Sequence, residues 1–441
     1  MKTTVAIIGG GPGGATSAMS LQKYGIDSVI IEKDEFPRYH IGESMTGECG
    51  AIVRRLGLEE KMKMANFPVK RGLTVYGTGG KNSWFVPVMR RSDEDGKLYP
   101  QFTWQVRRSE FDKIMLDEAI ARGATLLRGQ AFDVLRNEQG AVAGLKVRLE
   151  DGTVEDVESE VVLDCSGQST FLANLGVTGP KFRGNYDRQI AIYSQVKGAI
   201  RDEGDKKDDT IIFYKGKYHW SWFIPLDDEV VSVGVVISSA YFQEKNESKR
   251  DFLIRELKEL NPEIVKRIPD INLVEDVRSI VNYSFQVREF TGPGFICIGD
   301  AHRFIDPIFS FGLYVSMKES QFAADAIAQY LDGVDRDLPN PFIRHQQFCE
   351  RGIDVVEDFV DFFWEHPLAF ASFMHVRHFD EMIDSLAGRI YEGQPSPAVA
   401  SMRKLLGRNR EEQDQVVVPV GSRYHPERAQ LGREEYQRME E

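Results

Sequence analysis

Residues 3–14, Thr-Thr-Val-Ala-Ile-Ile-Gly-Gly-Gly-Pro-Gly-Gly, constrain the fold more than any other stretch of the chain. An apolar run that stops abruptly at a glycine reads as a buried parallel strand. The following residues are small, and Ala15, Ala18, Met19 and Leu21 fall on one face of a helix. A second strand, Ser28-Val29-Ile30-Ile31, ends at Glu32, which completes a strand–helix–strand start. Gly9, Gly11 and Gly14 then fit G-x-G-x-x-G at the strand-to-helix turn. Gly9 makes the tight turn, Gly11 lets the backbone approach a pyrophosphate, and Gly14 allows close helix–strand packing. The helix N-terminus offers free N–H groups to phosphates, and Glu32 stands where a carboxylate accepts ribose hydroxyls. A dinucleotide site on an α/β sheet is the expectation.

The remaining chain supports a multi-lobed protein of that class. Its 441 residues are 42% hydrophobic, enough for a large core. Helical patterns cover 48–64 and 109–122, with strands near 124–128, 141–149 and 161–164. Residues 187–238 alternate in short runs, and 219–225 pairs as a hairpin with 230–237 across Leu226-Asp227-Asp228-Glu229. Nucleotide-binding character returns at Phe295–Ile298, the Gly299-Asp300 turn and a helix from Gly312 to Leu331. Beyond Pro341 the pattern is helical and aromatic, and either packs as ordinary core or caps an aromatic-substrate pocket. The last 30 or so residues read as a polar, poorly packed tail. Expected boundaries are a discontinuous dinucleotide-binding domain at 1–180 and 275–333, an antiparallel-sheet substrate region at 181–274, and a helical region at 334–441.

Composition excludes other classes. A net charge of −13 argues against nucleic acid, whose phosphates demand a basic surface. No apolar run approaches the roughly 20 residues of a membrane span, and Gly9 to Gly14 interrupt any signal-peptide core. Cys49, Cys165, Cys297 and Cys349 lack metal-site spacing and read as thiols in a reducing, cytoplasmic setting. No metal is expected.

A second strand–Gly-Asp turn almost 300 residues after the first resembles the two-part FAD site of the flavoprotein monooxygenase superfamily, whose type fold is that of p-hydroxybenzoate hydroxylase. That resemblance assigns Asp300 to the ribityl chain, Arg107 to the phosphate side, Gly312 to the isoalloxazine ring, and Pro307 to cofactor binding. Within the superfamily, Trp220-Ser221-Trp222-Phe223-Ile224-Pro225 matches the W-x-W-x-I-P motif of flavin-dependent halogenases, and residues 1 to about 406 resemble them. The resemblance implies that Trp220, Trp222, Ile224 and Pro225 wall the organic substrate off from the flavin. Asn66-Phe67-Pro68-Val69-Lys70-Arg71-Gly72 aligns Lys70 with the family's lysine at the far end of a tunnel, where it delivers oxidised halogen as a hydrogen-bond donor or as a haloamine. Asp306-Pro307-Ile308-Phe309-Ser310-Phe311-Gly312 matches the halide loop, assigning Ser310, Phe311 and Gly312 to chloride or bromide. Arg38-Tyr39-His40-Ile41-Gly42-Glu43-Ser44 matches R-x-H-x-G-E-S, with Arg38 and Ser44 near the flavin.

Departures narrow the reading. Halogenases acting on free tryptophan carry a glutamate where this chain has Phe309. The branch acting on phenols and pyrroles lacks it, so an electron-rich ring is expected, free or presented on an acyl or peptidyl carrier protein. Aromatic hydroxylases carry G-x-D-G-x-x-S-x-V-R, but here Ser166 replaces the aspartate and Ala173 the arginine. This disfavours a nicotinamide-driven hydroxylase and implies a separate flavin reductase supplying FADH2. A prenyl-lipid reductase of the same superfamily is the other alternative, with no reason to keep the tryptophans and Lys70 together.

Overall fold

The computed structural model describes residues 1–410 except 185, 187, 282–283, 392–394 and 409. The polar tail expected at the end of the chain lies outside the described residues. The first strand, Lys2–Ile8, pairs in parallel with Ser28–Glu32 on one side and Val154–Asp164 on the other. Phe295–Cys297 extends the sheet, also parallel, beyond Val154–Asp164. Alternate residues of the first strand enter different cores: Val5 and Ile7 pack among helical residues such as Met19 and Leu116, and Ala6 and Ile8 among Val147, Val162 and Phe295. Burial on both faces explains why these strands are continuously apolar.

Register sets the functional edge. Ile8 lies opposite both Ile31 and Asp164, and Asp164 lies opposite Cys297. The chain therefore leaves the sheet at Gly9, Glu32, Cys165 and Ile298 along one carboxyl edge, where open α/β sheets bind ligands. The strand expected near 124–128 runs further, as Thr125–Arg136: its start pairs in parallel with Ser28–Glu32, and its end turns into an antiparallel meander with Val142–Leu149.

The second sheet contains the expected hairpin, His219–Pro225 with Val230–Ser238, flanked by Gln189–Lys197 and Thr210–Gly216. It also recruits Gly72–Tyr76 and Ser83–Pro87, far outside 181–274, and Thr210–Gly216 pairs with Gly72–Tyr76 in parallel. The helix expected over 48–64 is two, Gly47–Arg55 and Glu59–Met64. Between them Gly57 takes φ +73°, which a helix cannot contain.

The helix Gly312–Leu331 is followed by Ile343–Glu365, and shorter helical segments run from Pro367 to Leu405. Asp354, Glu357, Asp358 and Asp361 recur at three- and four-residue spacing on the 343–365 helix. Arg303, Arg403, Arg408 and Arg410 pair with them, tying the chain after Leu405 back onto this helix.

Candidate active site

At the carboxyl edge of the first sheet lies a cavity of about 800 Å³, bounded on its far side by the second sheet. Gly9, Gly11, Glu32, Arg38, Ser44 and Asp300 line it, as do Pro307, Ser310, Gly312, Trp220, Trp222 and Ile224. Gly14, Arg107, Phe311 and Pro225 are not in its lining, and Lys70 faces a separate, smaller cavity.

The lining fits a dinucleotide. A Cβ on Gly9, whose φ is +95°, would stand 2.7 Å from the Cys165 carbonyl oxygen, and one on Gly14 would stand 1.9 Å from that of Gly9. These are the tight turn and the close packing the motif requires. By contrast, a Cβ on Gly11 would meet nothing closer than Arg38 Nη2 at 3.6 Å, so the backbone there is open for close approach. No side chain caps the helix Pro12–Gln22. Glu32 accepts the Gly10 N–H at 2.6 Å and the Asp34 N–H at 2.8 Å, which fixes its carboxylate and leaves lone pairs for a sugar. Glu43 also lines the cavity, and its Oε2 is buried without a partner.

The basic residue at the cavity differs from expectation by one. Arg107 turns toward the second sheet, donating to Gln195 at 3.0 Å and pairing with Asp227. Arg108 lines the cavity, and its guanidinium spans Asp112 and the carbonyls of Ile41 and Gly42. Asp112 is fully buried and also pairs with Arg38 at 3.1 Å, so one carboxylate orients two cavity arginines. The helix Arg108–Ala121 begins between them: Arg107 is its extended N-cap residue and Arg108 its first helical one, so the two side chains diverge. On the opposite wall, Glu319 accepts the Gly299 N–H at 2.7 Å and fixes the turn that presents Asp300. Enclosure pushes the Asp300 carboxyl up to about 7, against the opposing pull of Arg108. Such a group is well served by hydroxyl donors.

The segment 306–311, expected to receive halide, ends at the N-terminus of the 20-residue helix Gly312–Leu331, which no side chain caps. Ser310 adopts φ +61°, and a Cβ on Gly312 would meet nothing within 4 Å, so the helix start opens onto the cavity. Unpaired N–H groups and the helix dipole favour an anion there. Facing it, Trp220 and Trp222 pack 6.0 Å apart between ring centroids. Trp222 lies across from Gly234 in the hairpin, where any Cβ would fall 2.3 Å from the indole, and its Nε1 donates to Ser232 at 3.1 Å.

Lys70 lies behind this cavity. Val69–Lys70 forms a two-residue ladder with Thr103–Trp104, and the lysine is 5% exposed. Its ammonium donates to Ser44 Oγ at 2.8 Å and to the Met45 carbonyl at 2.9 Å. Burial lowers its pKa to about 8, with Asp209 and Cys49 opposing. Lys70 lines a cavity of about 30 Å³ together with Met45, Thr46, Gly47 and Phe309. That is room for about one water molecule. Residues 44–47 thus divide two chambers, with Ser44 on the larger side and 45–47 on the smaller. Phe309 stacks on Phe370 at 5.9 Å and meets Phe363 edge-on, which joins the C-terminal aromatic cluster to the smaller chamber.

Comparisons with known proteins agree with this geometry. Residues 2–337 match a family model described as an FAD binding domain. The chain is 37% identical over 398 residues to a 1H-pyrrole-2-carbonyl-[peptidyl-carrier protein] brominase of Pseudoalteromonas luteoviolacea, covering 90% of this chain and 94% of that protein. It is 27% identical over 421 residues to the corresponding chlorinase of Pseudomonas fluorescens, covering 91% and 92%. The solved structure of the flavin-dependent brominase Bmp2 superposes with a TM-score of 0.86 at 35% identity, covering 94% of this chain and all of that one.

Proposed function

The chain belongs to the flavin-dependent halogenases, and from that premise we propose that it halogenates a pyrrole-type ring carried on a peptidyl carrier protein. Bound as FADH2, the cofactor supplies with O2 the two-electron oxidation of chloride or bromide to an electrophilic halogen. Gly9, Gly11, Gly14, Glu32, Arg38, Ser44 and Asp300 hold FAD in this reading, with Arg108 taking the part expected of Arg107. Pro307 and Gly312 border the flavin ring, and Ser310, Phe311 and Gly312 receive halide at the helix start. Trp220, Trp222, Ile224 and Pro225 keep the ring from the oxidant's source by volume alone. The relatives named above are a brominase and a chlorinase, which supports halogenation over hydroxylation or prenyl-lipid reduction.

Lys70 carries the reading of the second step. A lysine whose pKa is about 8 is mostly an ammonium at neutral pH, and two of its three N–H bonds are committed to Ser44 and Met45. The third is left to hydrogen-bond hypohalous acid in the small chamber. Halogen transfer follows Ar–H + HOX → Ar–X + H2O, with Lys70 giving its proton to the departing hydroxide and the ring releasing one. Among the described residues, the lining of that chamber contains no carboxylate and no histidine. A ring that meets the halogen at this chamber, with no base in its lining to take the proton, must already be strongly nucleophilic, which supports pyrrole or phenol over an unactivated arene.

A separate reductase supplying FADH2, and a cytoplasmic setting consistent with four free cysteines, complete the proposal. Among the described residues no helix is long and apolar enough to cross a membrane. The functional division gives flavin to 1–180 with 275–333 and the wall to 181–274, while the described part of 334–441 adds Leu386 and Ala387 to the lining of the Lys70 chamber. The test supplies reductase, FAD, O2 and bromide to the enzyme with pyrrole-2-carbonyl carrier thioester, free phenol and free tryptophan in parallel. A bromine mass increment on the thioester is the expected result; bromination of free tryptophan in preference to it would overturn the substrate assignment.

A further inference from the structure

Lys70 is only 5% exposed, and each turnover that consumes its proton must be followed by reprotonation. The polar route available starts at Ser44. Ser44 Oγ accepts from Lys70 and lies 2.8 Å from Thr210 Oγ1. Thr210 Oγ1 also accepts from Gln105 Nε2 at 2.8 Å, and Gln105 is anchored by a second bond to the Asp208 carbonyl at 3.1 Å. Ser44 and Thr210 both line the large chamber, whereas Lys70 lines the small one. The two hydroxyls share one proton between them, so the other proton is available to the large chamber whichever way the pair is oriented.

The geometry points to a proton relay, Lys70–Ser44–Thr210, which resets the Lys70 ammonium from water in the large chamber, with Gln105 as the positioning residue. The step balances. A chamber water gives a proton to Thr210 Oγ1, Thr210 passes its own to Ser44 Oγ, and Ser44 passes its own to the neutral Lys70 amine, leaving hydroxide in the large chamber for solvent buffer to neutralise, while the proton the ring releases passes to the product water and leaves with it. No bond other than O–H and N–H changes, and no oxidant is required. Gln105 donates to Thr210 in every step, which holds the Thr210 oxygen at hydrogen-bond distance from Ser44 while the protons shift.

Other charged groups facing Lys70 do not provide the route. Asp209 raises the lysine's proton affinity through space, but its Oδ1 is occupied by the Arg71 and Gly72 N–H groups at 2.6 and 2.7 Å. Cys49 is fully buried, and burial holds its thiol protonated. Arg108 acts on Cys49 rather than on Lys70, and its donors are spent on Asp112 and two carbonyls.

The proposal rests on Lys70 acting in halogen transfer, and two readouts separate the two ideas. In protein carrying ¹⁵N-labelled lysine, with the Lys70 signal assigned from Lys70→Met, exchange of its Nζ protons with solvent is measured in wild type, Thr210→Val and Thr210→Ser. The relay predicts exchange slowed at least about tenfold in Thr210→Val and restored to within about twofold in Thr210→Ser. Wild-type exchange in Thr210→Val overturns the relay, whatever Lys70 does in catalysis. Bromination of the ring that the wild type accepts is then followed across pH, with the solvent deuterium isotope effect. Thr210→Val is expected to lose at least about tenfold in rate with an increased isotope effect, and Thr210→Ser to recover it. If Lys70→Met brominates at the wild-type rate, the catalytic assignment fails while the exchange result stands by itself.

Discussion

Substituting Lys70 by methionine is expected to stabilise the protein at neutral pH while abolishing halogenated product. The magnitude follows from the lysine's surroundings. Moving its pKa from 10.5 to about 8 disfavours the folded ammonium by roughly 3 kcal/mol. The side chain is 5% exposed, so solvent screens little of this. Methionine fills similar volume without a charge but leaves Ser44 Oγ and the Met45 carbonyl each one donor short, which costs roughly 1 kcal/mol apiece. The net gain at pH 7 is roughly 1 kcal/mol. Its pH dependence is the sharper signature. Between the folded value near 8 and the unfolded value near 10.5, the unfolded wild type binds more protons than the folded one, so wild-type stability rises with pH through that window. The variant has no such group, so its advantage should shrink and reverse by roughly pH 10. Urea denaturation of both proteins at several pH values measures the difference. A difference that stays flat across the window would refute a desolvated ammonium at this position.

Three further perturbations address the other parts of the site. Asp112→Asn releases Arg38 and Arg108 from their shared partner and should raise the FAD dissociation constant at least about tenfold, read by flavin fluorescence quenching; unchanged affinity would remove the arginine pair from the cofactor site. Trp222→Ala removes half of the indole wall at a folding cost of roughly 3–5 kcal/mol, and should let monochlorodimedone intercept more oxidant per FADH2 consumed. Asp358→Ala strips a buried carboxylate from Arg403, Arg408 and Arg410 and should cost roughly 3–5 kcal/mol in denaturant unfolding, with limited proteolysis cutting first beyond Leu405.

What the sequence makes legible is local and periodic. The glycine turn, the hairpin at 219–238 and the helix from Gly312 to Leu331 each carry their signal within about 20 residues, through φ requirements, alternation or helical periodicity. The elements that the reading misses are set by distant partners. Val69–Lys70 and Thr103–Trp104 are two-residue strands, too short for alternation to appear, and only their mutual pairing defines them. Recruitment of Gly72–Tyr76 into the second sheet is invisible for the same reason. Read alone, Lys70 looks like a surface lysine between Val69 and Arg71; its burial comes from neighbours such as Thr103, Met45 and Phe309, contributed by three separated segments. That Arg108 rather than Arg107 lines the cavity depends on where the helix starts, because Arg107 is its extended N-cap residue and Arg108 its first helical one. Asp112 had a readable signal, since a carboxylate four residues after Arg108 shares its helix face.

Among the described residues no carboxylate touches Lys70, which suits the role proposed for it. A buried lysine is ordinarily stabilised by direct pairing, which would raise its proton affinity and occupy the N–H that a guest needs. Asp209 is the carboxylate at hand, and the fold keeps it at one remove: its Oδ1 is spent on the Arg71 and Gly72 amides, the backbone immediately after the lysine, while its Oδ2 is buried without a partner. The arrangement keeps Lys70 charged enough to act near neutrality without neutralising it by contact. Asp209→Asn preserves shape and an amide-accepting oxygen but removes the charge. Loss of that attraction lowers the Lys70 pKa below its present value near 8. If the ammonium is the active form, the alkaline limb of the bromination rate moves to lower pH, and the rate at pH 8 falls while that at pH 6 is held. Profiles measured with Asp209→Asn and wild type decide the point. An alkaline limb that stays in place, or moves upward, would mean that the limb reports some group other than Lys70.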